Sequence, residues 1–201
     1  MIEAKIDREE IEKLRAFFDA NQKELDKASN YALSSSIKWL KNQLVKRTAK
    51  ESRIQQKPLT EKTSKGTSRI WTSTNKKEKT ARLWFGVRRI SLARLSPKQY
   101  GKIEKGRKRR KSTKSGVAAG LNHSIFREGA FLMPIKRKDG SSAIVPFQVM
   151  KRIGRERLPI EKQVFDYGET ALNIERQLQG ETTKILIDKL REKLAWQTAK
   201  S

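Results

Sequence analysis

Cysteine is absent from this 201-residue chain. Disulfides, thiolate metal sites and cysteine nucleophiles are therefore excluded. No run approaches the roughly eighteen apolar residues that a membrane span needs. The charged N-terminus also lacks an apolar run long enough for a signal peptide. We therefore expect a soluble protein that is made in a cytoplasm and has no membrane partner.

Histidine is almost as scarce, because His123 is the only one. A lone histidine between Asn122 and Ser124 is typical of a surface or capping side chain, and Ser124 has no evident acid partner for a hydrolase triad. The acids of the central region are separated by long basic stretches, so their spacing predicts no metal site. No glycine-rich phosphate loop is present. The sequence therefore predicts no catalytic, cofactor-binding or metal-binding residues, and a protein that is not an enzyme.

Positive charge is abundant. The chain has 47 Lys and Arg against 22 Asp and Glu, for a net charge of +25. Residues 76–116 carry sixteen basic and two acidic side chains, whereas residues 1–37 carry six and eight. Such an excess strains a compact fold by self-repulsion unless a polyanion or an acidic surface screens it. The charge pattern predicts a basic middle between two nearly balanced ends.

The most basic stretch is "GRKRRKSTKSG", residues 106–116, with six basic side chains in eleven residues. It could contact phosphates without regard to base sequence, serve as a targeting signal, or be a solvated loop. The regional charge favours contact with a polyanion. The candidate contact residues are Arg88, Arg89, Arg107, Lys108, Arg109, Arg110, Lys111 and Lys114.

Helical periodicity marks both ends of the chain. Residues 7–53 predict helix with a break near Asn21, and small residues in "NYALSSSIKWL" indicate close helix contact, within the chain or with a neighbouring copy. Residues 168–198 predict a second helical region, in which Gly180 weakens the expectation of one unbroken rod. The apolar positions expected on the helix faces are Ile11, Leu14, Phe17, Phe18, Leu25, Ala28, Ala32, Trp39, Leu40, Leu172, Leu178, Ile185, Leu186, Leu190 and Leu194.

Strand signals fill the middle of the chain after a loop at 54–68. Short aromatic and β-branched runs predict strands at 69–73, 81–92, 129–135 and 143–150. Asp139–Gly140 predicts a hairpin turn between the last two, and the prolines at 134 and 146 predict edge or bulged strands. Leu83, Phe85 and Val87 alternate onto one face.

Three aromatic residues of this region, Trp71, Trp84 and Phe85, lie near basic residues. That neighbourhood could indicate base stacking on a sheet. Strand spacing favours the alternative, in which all three are core residues.

The predicted fold class is α+β, with long N- and C-terminal helices packed on a small, mostly antiparallel β-sheet that carries a basic extended loop. We expect a single domain over 1–201. Its parts are a helical region at 1–53, a loop at 54–68, a β-rich basic part at 69–160 and a C-terminal helix at 161–201.

One segment is more specific than composition. "FREGAFLMPIKRKDGSSAIVPFQVMKRIGRERLPI", from Phe126 to Ile160, has a Gly-Ala-Phe strand, a turn, a second strand, Arg-x-Gly and a closing Arg-Leu-Pro-Ile. This resembles the minor tail protein Z family, the tail-completion proteins of tailed bacteriophages. "ASNYALSSSIKWL" and "ISLARLSP" are similar to other family segments, although "VPFQVM" and a longer, more basic 96–123 region depart from the pattern. The motif positions are Gly129, Ala130, Phe131, Arg152, Gly154, Arg157, Leu158, Pro159 and Ile160.

The resemblance implies a structural virion protein at the head-proximal end of the tail. It would form a ring, hexameric like the tail, and make the tail competent to join the head. Implied partners are further copies of the chain, tail terminator or tail tube proteins, head–tail connector or neck proteins, and packaged DNA. Its place would be the virion, after assembly in the bacterial cytoplasm. The alternatives are a free-standing, non-specific nucleic-acid-binding protein and a metal-dependent nuclease or processing enzyme.

Overall fold

The computed structural model describes residues 2–5, 8–18, 21–61, 69–101, 115–135, 147–154 and 159–199. These ranges contain four helices and eleven strands, and every strand pairing is antiparallel. The predicted α+β class is confirmed. The chain divides into two compact units: unit 1 comprises Met1–Thr48, Leu59–Val87 and Glu169–Ser201, and unit 2 comprises Ala49–Pro58 and Arg88–Gly168. The assignment of one tail-completion domain stays a prediction.

The N-terminal helical region consists of α1, Arg8–Phe18, and α2, Gln22–Glu51. Asn21 lies between them and begins α2 through a reciprocal cap. Its side-chain Oδ1 accepts a hydrogen bond from the Glu24 N–H at 3.0 Å, and Glu24 Oε2 accepts one from the Asn21 N–H at 3.0 Å. Together these bonds satisfy two of the backbone donors that a helix start leaves unpaired. The predicted break near Asn21 is confirmed.

α4, Gly168–Thr198, is one continuous helix that runs through Gly180. Its buried stripe includes the predicted Leu178, Leu186, Leu190 and Leu194, whereas the predicted Leu172 is 45% exposed. On α2, the predicted Leu25, Ala28, Ala32 and Leu40 are all buried. The two helices run antiparallel within unit 1, because Arg47 and Tyr31 of α2 contact Glu181 and Lys193 of α4 respectively. Among the small residues of α2, Ala28, Ser29, Ala32 and Ser36 are buried, whereas Ser34 is exposed.

The sheet of unit 1 has the strand order β1–β3–β2, with β1 at Ile2–Lys5, β2 at Ile70–Asn75 and β3 at Thr80–Phe85. β2 and β3 form a hairpin whose turn is held by Asn75, since its Oδ1 accepts hydrogen bonds from the N–H groups of Lys77 and Glu78. Sequence reasoning missed β1, because four residues in a charged segment give little strand signal. The expected strand at 81–92 was too long, because β3 ends at Phe85 and Val87 is exposed.

Beyond Val87 the chain enters unit 2, where β4 occupies Ile90–Ser91 and a single 3-10 turn occupies Leu92–Arg94. The 54–68 loop contains one short helix, α3 at Lys57–Thr60, and its residues 62–68 lie outside the described ranges. Two three-stranded sheets follow in unit 2. The first has the order β5–β6–β7, at Lys98–Tyr100, Gly116–Ala119 and Ile125–Glu128.

The second sheet of unit 2 has the order β8–β9–β10, at Ala130–Pro134, Phe147–Arg152 and Ile160–Lys162. β8 is an edge strand, as its proline predicts, but β9 is the central strand, so the edge prediction was wrong for it. Pro146 and the Asp139–Gly140 turn lie outside the described residues. A final short strand, β11 at Val164–Phe165, pairs with β4. The C-terminal helix therefore begins at Gly168 and not at 161, because residues 160–165 are used for strand pairing.

Candidate functional site

The candidate polyanion contacts predicted from the sequence fall in two groups. Arg107, Lys108, Arg109, Arg110, Lys111 and Lys114 lie outside the described residues. Arg88 and Arg89 are described, and both are exposed in the extended stretch between β3 and β4. The guanidinium Nε of Arg89 donates to Asp166 Oδ2 at 3.1 Å. A polyanion at Arg89 would therefore have to compete with a carboxylate of the chain itself.

Asp166 has a second role at the start of α4. Its Oδ1 accepts a hydrogen bond from the Gly168 N–H at 3.0 Å. This bond, and then the one from Arg89, lower the pKa of the Asp166 carboxyl below its ordinary value, because both stabilise the charged form. The Arg89–Asp166 pair thus joins the exposed extended stretch to the beginning of α4 at neutral pH.

The described positions of the Phe126–Ile160 segment lie in or beside the β8–β9–β10 sheet. Gly129 has φ +71° at the turn into β8, and its N–H donates to the Ser115 carbonyl at 2.8 Å. Ala130 is buried at the start of β8 and Phe131 is half-buried beside it. The Arg152 guanidinium on β9 lies 5.6 Å from the centre of the Phe131 ring. The structure thus brings together two motif segments that are separated by twenty residues in the chain.

The closing part of the motif lies next to Arg152. Ile160 on β10 pairs directly with Arg152, and the Pro159 carbonyl accepts a hydrogen bond from the Ile153 N–H at 3.1 Å. Gly154 turns the chain with φ +85°. Arg157 and Leu158 lie outside the described ranges. The described positions therefore have structural roles in this sheet, through strand pairing, a backbone hydrogen bond and a glycine turn.

Sequence reasoning missed Gln99, which joins the two three-stranded sheets of unit 2. Its side-chain amide donates to the carbonyls of Gly116 and Ala130 at 3.4 and 3.3 Å, and its Oε1 accepts from the Leu132 N–H at 2.9 Å. A glutamine in the polar run "SPKQYGK" gives no signal by itself, because the bonds depend on strands distant in sequence.

The lone histidine is exposed, as predicted for a surface residue. His123 has φ +56°, and its ring lies 6.0 Å from that of Tyr100 in an edge-on arrangement. The Ser124 hydroxyl donates to the Arg53 carbonyl at 3.2 Å. Within the described ranges, no group of three or more histidine, aspartate or glutamate side chains is arranged to hold a metal ion. None of the described helices is long and apolar enough to cross a membrane.

The tryptophans of unit 1 contradict the sequence interpretation. Phe85 is buried as expected, but Trp71 and Trp84 are 59% and 43% exposed, so their assignment to the core was wrong. The reason is strand alternation: Leu83 and Phe85 face inward, which turns Trp84 outward. Trp71 lies directly opposite Trp84 on β2, so it shares the outer face. The same alternation, applied to the sequence, could have placed Trp84 on the face opposite Leu83 and Phe85, but which face is covered is decided by residues far apart in the chain.

Aromatic residues are also exposed on the helices of unit 1. Phe17, at the end of α1, is 80% exposed, although its spacing predicted a core position, and it packs edge-on against Phe18. Trp196 on α4 and Tyr31 on α2 are 50% and 42% exposed. The Lys193 ammonium lies 3.5 Å from the centre of the Trp196 ring and 5.5 Å from that of Tyr31. We call Tyr31, Lys193 and Trp196 the helix-face cluster.

Comparison of the chain with protein-family models, with curated proteins and with solved structures finds no match.

Proposed function

We propose that the chain is a tail-completion protein of a tailed bacteriophage. In this role it is a structural virion protein at the head-proximal end of the tail, forms a ring with further copies of itself, and makes the tail competent to join the head. Its neighbours are tail terminator or tail tube proteins on one side and connector or neck proteins on the other. The specific assignment rests on the resemblance over Phe126–Ile160.

The observation that carries an assembly role is the aromatic exposure on the helices of unit 1. Phe17 projects with four-fifths of its surface exposed, and Trp196 and Tyr31 are about half exposed beside Lys193. Aromatic residues are enriched at the centre of protein interfaces and supply much of their binding energy. The exposure of Phe17 and of the helix-face cluster favours a protein that acts with its neighbours bound.

The charge supports the same role. A net charge of +25 on each copy makes a ring of bare subunits self-repelling. Packaged DNA in the channel, or acidic surfaces on the neighbouring rings, would screen that repulsion and favour assembly. The basic segment at 106–116 would then lie against DNA or against an acidic neighbour.

Particles made with and without this protein test the role directly. In electron micrographs, its absence is expected to leave filled heads and finished-length tails that fail to join. Joined, infectious particles in its absence would refute the proposal. So would divalent-cation-dependent cleavage of DNA by the purified chain, which would favour the enzyme alternative.

Substitution of the exposed aromatics tests the surface that carries the proposal. Trp196→Asp, alone and with Phe17→Asp, is expected to leave a folded chain with unchanged circular dichroism and to reduce incorporation into particles at least tenfold. Gln177→Ala, at an exposed polar position of α4, is the matched control and should be incorporated normally. Normal incorporation of the aspartate variants would show that these aromatics are not the assembly surface.

A further inference from the structure

A second set of exposed aromatic residues lies on the β2–β3 hairpin. Trp71 and Trp84 are direct cross-strand partners, and both are exposed. Directly opposed residues of an antiparallel pair project from the same side of the sheet, so both indoles lie on the outer face of the hairpin. The hairpin face therefore offers two exposed aromatic rings on which bases could stack.

Gly86 fixes the position of one of these rings. A Cβ atom built on Gly86 would lie 2.6 Å from Cη2 and 2.9 Å from Cζ3 of Trp84, so the six-membered ring of the indole occupies the space where a side chain would be. The Gly86 N–H donates to the Arg69 carbonyl at 2.7 Å, which holds the glycine beside β2. The indole is therefore seated on the backbone, and the surface is organised before any ligand arrives.

Cationic side chains lie on the same hairpin as the indoles, near Trp84 and at the turn. Arg82 precedes Trp84 by two residues on the same face of β3, where its guanidinium pairs with Glu3 at 3.3 Å. Lys76 and Lys77 are exposed at the hairpin turn. In the described part of the chain, neither lysine forms an ion pair. Trp71 and the start of the turn at Asn75 are four residues apart on β2, which is roughly 14 Å at about 3.4 Å per residue. A short nucleic-acid strand can span that distance.

We propose that this hairpin face, formed by Trp71, Trp84, Arg82, Lys76 and Lys77, binds unpaired bases of single-stranded nucleic acid. Bases stack on the indoles, while the two lysines contact the phosphates of the same strand and Arg82 does so in competition with Glu3. Stacking on an exposed aromatic ring is worth about 1–3 kcal/mol per base and is indifferent to base identity. Arg82 beside Trp84 and the two lysines at the turn favour a polyanion over an apolar protein partner. The site needs only the hairpin, so it is independent of the proposed place in the virion.

Fluorescence anisotropy of a labelled sixteen-nucleotide oligo(dT) tests this site on the full chain. We expect Trp71→Ala and Trp84→Ala each to weaken binding about tenfold, because each removes one stacking ring. Trp71→Phe should retain most of the affinity. Trp196→Ala removes an equally exposed tryptophan elsewhere in unit 1 and is the matched control, with wild-type affinity expected. Circular dichroism confirms that each variant is folded.

Salt and a duplex probe separate stacking from general electrostatic attraction. The tryptophan variants should keep the salt dependence of wild-type binding, whereas Lys76→Ala with Lys77→Ala should make it shallower. Binding to a sixteen-base-pair duplex should be unchanged in the tryptophan variants, because paired bases cannot stack on the indoles. Gly86→Ala should weaken single-strand binding severalfold with both tryptophans present, since its methyl group displaces the Trp84 ring.

Wild-type affinity of both tryptophan variants for oligo(dT) would overturn the site. Equal losses for single strand and duplex would overturn it as well, because general attraction would then explain the binding. If the same variants instead lost self-association in sedimentation experiments with oligo(dT) binding intact, the hairpin face would be a protein interface and the proposal wrong.

Discussion

Replacing Gly180 with alanine is expected to stabilise the protein. Gly180 is an exposed residue in the middle of the continuous helix α4, and a Cβ atom built there meets nothing within 4 Å. Glycine costs about 0.8–1 kcal/mol relative to alanine in a helix interior, because its backbone loses more conformational freedom on folding. With no contact to offset the gain, the Gly180→Ala variant should be more stable by about that amount.

Two other glycines, Gly129 and Gly120, provide comparison variants that are expected to lose stability. Gly129 has φ +71°, and the nearest atom to a Cβ there is the Lys151 Cε at 3.9 Å, so Gly129→Ala should cost only the backbone strain of about 1–2 kcal/mol. Gly120 has φ +84°, and its Cβ would also lie 2.9 Å from the Arg53 carbonyl oxygen. That oxygen accepts hydrogen bonds from the Leu121 N–H and the Ser124 hydroxyl and cannot move freely. Gly120→Ala should therefore be the most destabilised of the three.

Thermal and urea unfolding followed by circular dichroism at 222 nm measure these differences. For a chain of this length a change of 1 kcal/mol shifts Tm by about 2–4 °C. All three glycine variants are compared with wild type under the same conditions. A Gly180→Ala variant that is less stable than wild type would show that the helix breaks or packs closely at this position. Equal losses for Gly120→Ala and Gly129→Ala would refute the contact with Arg53.

Two further predictions concern charge. The Arg47 guanidinium lowers the pKa of Glu181 through a bidentate hydrogen bond at 2.7 and 2.8 Å. Its contribution to stability is therefore present above the ordinary carboxyl pKa and is lost as pH falls through the lowered value. Because both side chains are partly exposed, Glu181→Gln should lower the free energy of unfolding by at most about 1 kcal/mol at pH 7 and by almost nothing at pH 2. Thermal melts at several pH values measure this difference. A loss of stability that persists at pH 2 would contradict an ionic origin. Deleting residues 106–114 should leave Tm unchanged and reduce head–tail joining or DNA retention. The deletion keeps Ser115, whose carbonyl accepts a hydrogen bond from the Gly129 N–H. An unchanged yield of infectious particles would count against a role for the segment.

Some features of the Phe126–Ile160 segment could be predicted from residue type, and others could not. Gly129 and Gly154 could be assigned to turns from their residue type, because positive φ is readily accessible to glycine. The approach of Arg152 to Phe131 follows from the pairing of β8 with β9, in which Phe131 lies opposite Met150. No local pattern reports that register, since the turn signal at Asp139–Gly140 does not by itself fix which residues face each other. The role of Gln99 was invisible for the same reason.

The amino-acid sequence by itself determined the helices, the break at Asn21 and the sign and location of the charge, because periodicity, capping and composition act over a few residues. Only the tertiary structure decided that β1 joins β3, that β9 is central, and that Trp71 and Trp84 face outward. The first two outcomes depend on which strand edges pair, and the third depends on which face of the sheet another element covers. Both are choices made between residues far apart in the chain.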